Sequence, residues 1–188
     1  SMFTVSNMIL QASINHMGSD TVAAWTAYSR IDAFWWLIDE AFCVSITTFV
    51  GQNYGAGKPD RIKRGILDVL GMEAVLAVAA GILVVSAAPV LMSMFTTSAQ
   101  VIDIGVRISR VIAPFYWVFV CSEILSSTLR AENHVTFTTV SNILCICVFR
   151  IIWTYIAAGK DVSFLLLCYP ISYCIASTLV TIYFVIRQ

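Results

Sequence analysis

"AVLAVAAGILVVSAAPVLMSMFTTSAQVI", from Ala74 to Ile102, contains no Asp, Glu, Lys or Arg. About 20 apolar residues span the ~30 Å hydrocarbon core of a bilayer, so this run is long enough to cross one. A second charge-free run extends from Val162 to Ile186. The chain of 188 residues is 59% hydrophobic and 12% charged, with a mean hydropathy of +0.85, well outside the balance of a water-soluble domain. Only helices or closed barrels satisfy their backbone hydrogen bonds in lipid. Barrel strands alternate polar with apolar residues, which these runs do not. The sequence therefore predicts an all-α, polytopic membrane protein.

Polar turns divide the chain into six spanning segments, at about 2–17, 22–51, 66–95, 101–129, 135–158 and 162–186. The dividers are Gly18-Ser19-Asp20, the stretch 52–65, Thr96 to Gln100, Arg130 to His134, and Gly159-Lys160-Asp161. Pro114 and Pro170 fall inside segments, where each removes a backbone bond and should kink its helix. Cytoplasmic loops hold an excess of Lys and Arg. Lys58, Arg61, Lys63 and Arg64 follow segment two, Arg130 follows segment four and Arg187 lies at the end, so every second connection is basic. This pattern predicts a cytoplasmic location for the 52–65 connection and for the C-terminus. Arg107 and Arg110, near the outer end of segment four, run against it.

The most glycine-rich connection, "FVGQNYGAGKPDRIKRG" at Phe49 to Gly65, invites comparison with a phosphate-binding P-loop. That motif needs a first glycine, then Gly-Lys-Ser/Thr after four residues, between a strand and a helix. Gln52 stands where the first glycine belongs, Pro59 replaces the hydroxyl residue, and an apolar helix precedes it. A helix stop explains the residues better: Gly51, Gly55 and Gly57 permit a tight turn, and Pro59 suits the first turn of the next helix.

The same residues carry a family resemblance. "TVAAWTAYSRID" at Thr21 to Asp32, with "ITTFVGQNYGAGKPDRIKRG" at Ile46 to Gly65, resembles the multidrug and toxic compound extrusion (MATE) transporters. "LSSTLRAEN" at Leu125 to Asn133 is similar to the family's Leu-Arg-Gly pattern, with Ala131 in place of the glycine. The family has twelve helices in two lobes, and the six segments resemble its C-terminal lobe over essentially the whole chain. The resemblance implies a partner N-terminal lobe and a multi-pass location in the plasma membrane. It also implies efflux of organic cations or drugs, coupled to Na+ or H+ as the counter-ion.

Charges inside segment two point the same way. Arg30, Asp32, Asp39 and Glu40 lie between apolar flanks, and each would cost about 2.5–3.5 kcal/mol facing acyl chains at the bilayer centre. Asp32 and Asp39 are seven positions apart and share a helical stripe with Trp36, whereas Glu40 sits about 100° round from Asp39. The stripe should face a bundle interior or a wet cavity, with Arg30 as charge partner. A proton, a sodium ion or an organic cation would then compete for the carboxylates. Glu123 in segment four, beside Ser122 and Ser126, is a further candidate. The family likeness does not place Glu123 on a conserved acid, and it implies that the Asp39-Glu40 pair sits where many relatives have uncharged residues. A structural alternative stays open, in which these acids pair with Arg30, Arg107, Arg110 or Arg150 to hold helices together. Asp68 and Glu73 read as surface partners of Lys63 or Arg64.

Trp25 reads as an interfacial anchor, while Trp35 and Trp36 lie deep enough to offer π faces to a cationic or planar drug or to pack against neighbouring helices. The six cysteines lie singly in apolar segments, and neither they nor His16 and His134 have metal-ligand spacing. No hydrolase or protease signature occurs, so no enzyme is predicted. The net charge of zero argues against a nucleic-acid partner. Asp32, Asp39, Glu40, Glu123, Arg30 and Trp36 are thus the candidate binding residues of a cation-coupled efflux antiporter lobe that needs no organic cofactor. A lipid-linked sugar flippase of related fold, or a non-transporting assembly subunit, are the alternatives.

Overall fold

The computed structural model describes residues 2–187. It is all-helical: no strand occurs among the described residues. Among the described residues, five stretches are long and apolar enough to cross a membrane, namely Ser19–Gly55, Pro59–Ser86, Ala99–Ala131, Val135–Ile156 and Val162–Arg187. The first segment forms α1, Met2–Asn15, whose 14 residues reach about 21 Å, short of a full crossing by itself.

Helix α2, Ser19–Gly55, has 37 residues and outlasts the expected segment at both ends. Its hydroxyls are satisfied within the helix, as lipid requires: Thr26, Ser29, Ser45, Thr47 and Thr48 each donate to the carbonyl four residues earlier at 2.7–2.9 Å. The glycine-rich connection is a Schellman stop. Gly57 takes φ 65°, its N–H bonds the Tyr54 carbonyl at 3.1 Å, and the Lys58 N–H bonds Asn53 at 3.0 Å. Helix α3, Pro59–Ser86, starts immediately with proline in its first turn. Arg61, Lys63 and Arg64 therefore lie on a helix, and the true joint is three residues, 56–58.

The third segment is not one helix to Phe95. It breaks at Ala87 and resumes as α4, Ala88–Ser93, with Pro89 in the first turn, where the missing N–H can no longer continue α3. The crossing Ala99–Ala131 bends at Pro114: α5, Ala99–Ile112, passes through a tight turn at Ala113–Phe115 into α6, Tyr116–Ala131. Gly81 of α3 packs against this bend so closely that a Cβ there would sit 2.7 Å from the Ala113 carbonyl oxygen. The exposed face of α5 carries Asp103, Arg107 and Arg110, with Arg107 paired to Asp103 at 3.1 Å, while Ile104, Ile108 and Ile112 turn inward.

The next crossing comprises α7, Val135–Asn142, a wider π turn at Ile143–Val148, and α8, Phe149–Ile156. The last comprises α9, Val162–Leu166, capped by Asp161, and α10, Cys168–Arg187. Their division falls just before Pro170, as its missing donor requires. Helix α6 is the central rod, packed against α2, α3 and α10. Its buried run of Ser122, Ile124, Leu125, Ser126, Ser127 and Thr128 follows from being enclosed on several sides. All six cysteines are free.

Candidate functional site

A cavity of about 750 Å³ opens between α2, α6, the α7–α8 crossing and the start of α10. Asp32 is its best-held acid. Tyr116 donates its hydroxyl to Oδ1 at 2.5 Å, Trp36 donates Nε1–H to Oδ2 at 2.7 Å, and the Tyr28 hydroxyl lies 3.3 Å from Oδ1 and 3.0 Å from that of Tyr116. Spacing four residues either side of Asp32 on α2 places Tyr28 and Trp36 on its face. Tyr116 arrives from α6 because the Pro114 bend begins that helix beside α2. Such charge-assisted bonds are the stronger kind and fix the carboxylate in place. Trp35, buried at the next position, stacks on Tyr116 at 5.2 Å and 9° and holds the phenol against α2.

Of the candidate residues, Asp32, Trp36, Glu40 and Glu123 line this cavity together. Glu123 lies 3.7 Å from Arg130, which also donates to Ser127 at 2.7 Å. Glu40 is exposed. Asp39 is turned away, buried against α3 beside the carboxyl of Glu73, with no hydrogen bond between the two among the described residues. Arg30 is exposed and forms no ion pair among the described residues, so the expected charge partner of Asp32 is replaced by two tyrosines and a tryptophan. Glu73, expected at the surface, is completely buried with neither oxygen receiving a donor. Trp25, expected as an interfacial anchor, lines the cavity and packs on Tyr28 and Tyr169, both at 6.0 Å.

Tyr116 and Arg150 are among the residues of this cavity that were not singled out from sequence. Tyr116 lies 84 positions from Asp32, and its only sequence signal is a hydroxyl in an apolar run that must find a partner. Arg150 appears in the sequence only as one of several possible structural partners. It is buried on the cavity wall, its guanidinium 4.0 Å above the Tyr169 ring.

The family model MatE matches residues 1–156. The chain belongs to the MatE family. The family is one of transporters, and the chain is a multi-pass membrane member of it. It is 23% identical over 145 residues to "Probable multidrug resistance protein YoeA" of Bacillus subtilis (strain 168), a match covering 77% of the chain and 31% of that protein. It is 30% identical over 99 residues to the "FAD transporter" of Shewanella oneidensis, covering 53% of the chain and 22% of that protein. The fold matches the MATE transporter ClbM solved in complex with Rb+ at a TM-score of 0.86 and 19% identity, covering 96% of the chain and 42% of ClbM. The MatE chain thus spans less than half the length of each of these proteins.

Proposed function

We propose that this MatE chain is the C-terminal lobe of a cation-coupled multidrug efflux antiporter, working with an N-terminal lobe in the plasma membrane. The observation that carries the reading is the Asp32 carboxylate, held by three donors at the wall of an aromatic cavity of about 750 Å³. A fixed negative charge beside Trp25 and Trp36 suits an organic cation with a planar ring. Glu40 and Glu123 extend the acidic lining. The relative named for multidrug resistance supports the substrate class, and the Rb+ complex of ClbM supports a monovalent cation as an occupant of such folds.

For the coupling ion, the buried pair of Asp39 and Glu73 complements the cavity. Two facing carboxyls without donors need a proton or a cation between them, because like charges in a low dielectric repel. Alternating access then comes from rocking one lobe against the other around the bound substrate. The basic start of α3 and the C-terminus face the cytoplasm in this arrangement. The test is dye efflux from vesicles by the two-lobe transporter under Na+ or pH gradients. Efflux should fall in Asp32→Asn and should lose its gradient dependence in Asp39→Asn with Glu73→Gln. Unchanged gradient-driven efflux in both would remove these acids from the mechanism.

A further inference from the structure

Arg150 lacks what a buried cation ordinarily has. It is only 7% exposed, yet among the described residues no carboxylate lies within 4.0 Å of it. Its Nε donates to Ser172 at a long 3.4 Å. Its guanidinium lies over Tyr169 at 4.0 Å and beside Tyr173 at 5.8 Å. These ring faces offset part of the loss of water but give the terminal nitrogens nothing to donate to. Arg150 lines the cavity, and none of the described residues bonds its terminal nitrogens.

The other charges on the wall differ. Arg130 is engaged with Glu123 and Ser127. Asp32 already accepts three donors. The cavity is therefore bipolar, with an acid on α2 that already holds three donors, a planar cation on α8 that Asp32 attracts across the space without bonding it, and Trp25, Trp36 and Phe119 on its wall. A planar guanidinium fork matches an oxyanion in two-point contact, and a buried fork gains most from one. We infer that the preferred ligand is zwitterionic: a planar aromatic molecule whose cationic end meets Asp32 and whose carboxylate or phosphate meets Arg150. This rests on the cavity being the substrate site, as proposed above, and narrows the substrate class from organic cations to those that also carry an oxyanion.

Rhodamine B and its ethyl ester form a matched pair, identical in ring and positive charge and differing by one carboxylate. Their binding to the protein in nanodiscs, followed by fluorescence polarisation, should favour the free acid by about tenfold or more, the effect of one charge-assisted pair. Arg150→Gln should erase that preference by weakening the acid, while the ester, relieved of the guanidinium's repulsion, binds as tightly as to the wild type or tighter, with thermal unfolding of the same samples as the check on the fold. Arg150→Lys, which keeps the charge but not the fork, should retain part of it. If Arg150→Gln does not fold, the wild-type ratio and Arg150→Lys still decide. Equal or tighter binding of the ester to the wild type overturns the zwitterion assignment and leaves a cation cavity standing. Binding of neither dye overturns both.

Discussion

Replacing Asp32 by Asn changes one atom and tests the site at its centre. The side chain keeps its size, and its remaining oxygen can still accept from Tyr116 and Tyr28, which share Oδ1 at 2.5 and 3.3 Å. The new amide then faces the Trp36 Nε1–H, which now reaches Oδ2 at 2.7 Å, and a donor opposite a donor costs about 1–3 kcal/mol. The larger effect is on the ligand. A unit charge about 5 Å from the carboxylate, at an effective dielectric near 20, interacts by about 3 kcal/mol, on the order of a hundredfold in affinity. Cationic dye binding should therefore weaken by that order, whereas a neutral planar dye should bind as before. Tyr116→Phe removes the shortest bond but no charge, so its loss of cation affinity should be about tenfold or less. Fluorescence titration in detergent, with thermal unfolding recorded on the same samples, separates the two effects. Cation affinity in Asp32→Asn equal to wild type, with the fold intact, would refute the assignment.

Other substitutions probe the acids and the packing. Glu73→Gln should leave the protein folded, because an amide can donate to Asp39, but should cut gradient-driven efflux to about a tenth or less if the pair carries a coupling proton; a full rate would remove Glu73 from coupling. Gly81→Ala should lower stability by about 1–3 kcal/mol, since its Cβ meets the Ala113 backbone at 2.7 Å, and a scan of thermal unfolding in detergent would detect it. Asp161 caps α9 by accepting the Ser163 N–H at 3.1 Å, so Asp161→Ala should cost about 1 kcal/mol. Burial pushes the Asp161 carboxyl up, but its bonds to Ser163 and the nearby Arg107 more than offset this and hold it below the ordinary range. Its stabilisation should therefore be complete above about pH 4 and fade as pH falls through the lower folded-state value, an effect that Asp161→Ala should abolish.

The membrane class was legible because lipid leaves no freedom: charge-free runs of this length admit few structures. The joint after α2 was legible for a local reason, since Gly57, Lys58 and Pro59 each dictate backbone geometry within a few residues. Pro89 was not recognised as a break, because a proline that starts a new helix and one that kinks an old one look alike in an apolar run. Asp32 stood out by its cost in lipid, but the stripe expected to join it to Asp39 does not hold, since Glu40 lines the cavity with Asp32 and Trp36 while Asp39 is buried away from it. The partners of Asp32 were misassigned because charge alone suggested Arg30, while burial favoured neutral donors that keep the carboxylate in place. Glu73 was misread through sequence proximity to Lys63 and Arg64. At 1.5 Å per residue it lies about 20 Å along α3 from Pro59, deep enough to meet Asp39. Tyr116 and Arg150 depend on contacts between distant helices, which no local spacing encodes.

Asp32 must face a wet cavity and not acyl chains to bind a cation, and cysteine accessibility measures this directly. With the six native cysteines replaced by serine, Ala33→Cys on the cavity wall should react with a charged, membrane-impermeant thiol reagent and be protected by a cationic dye. Val75→Cys, on the exposed apolar face of α3, should stay unmodified. Equal silence at both positions would contradict the cavity, and with it the reading of this chain as a substrate-binding lobe.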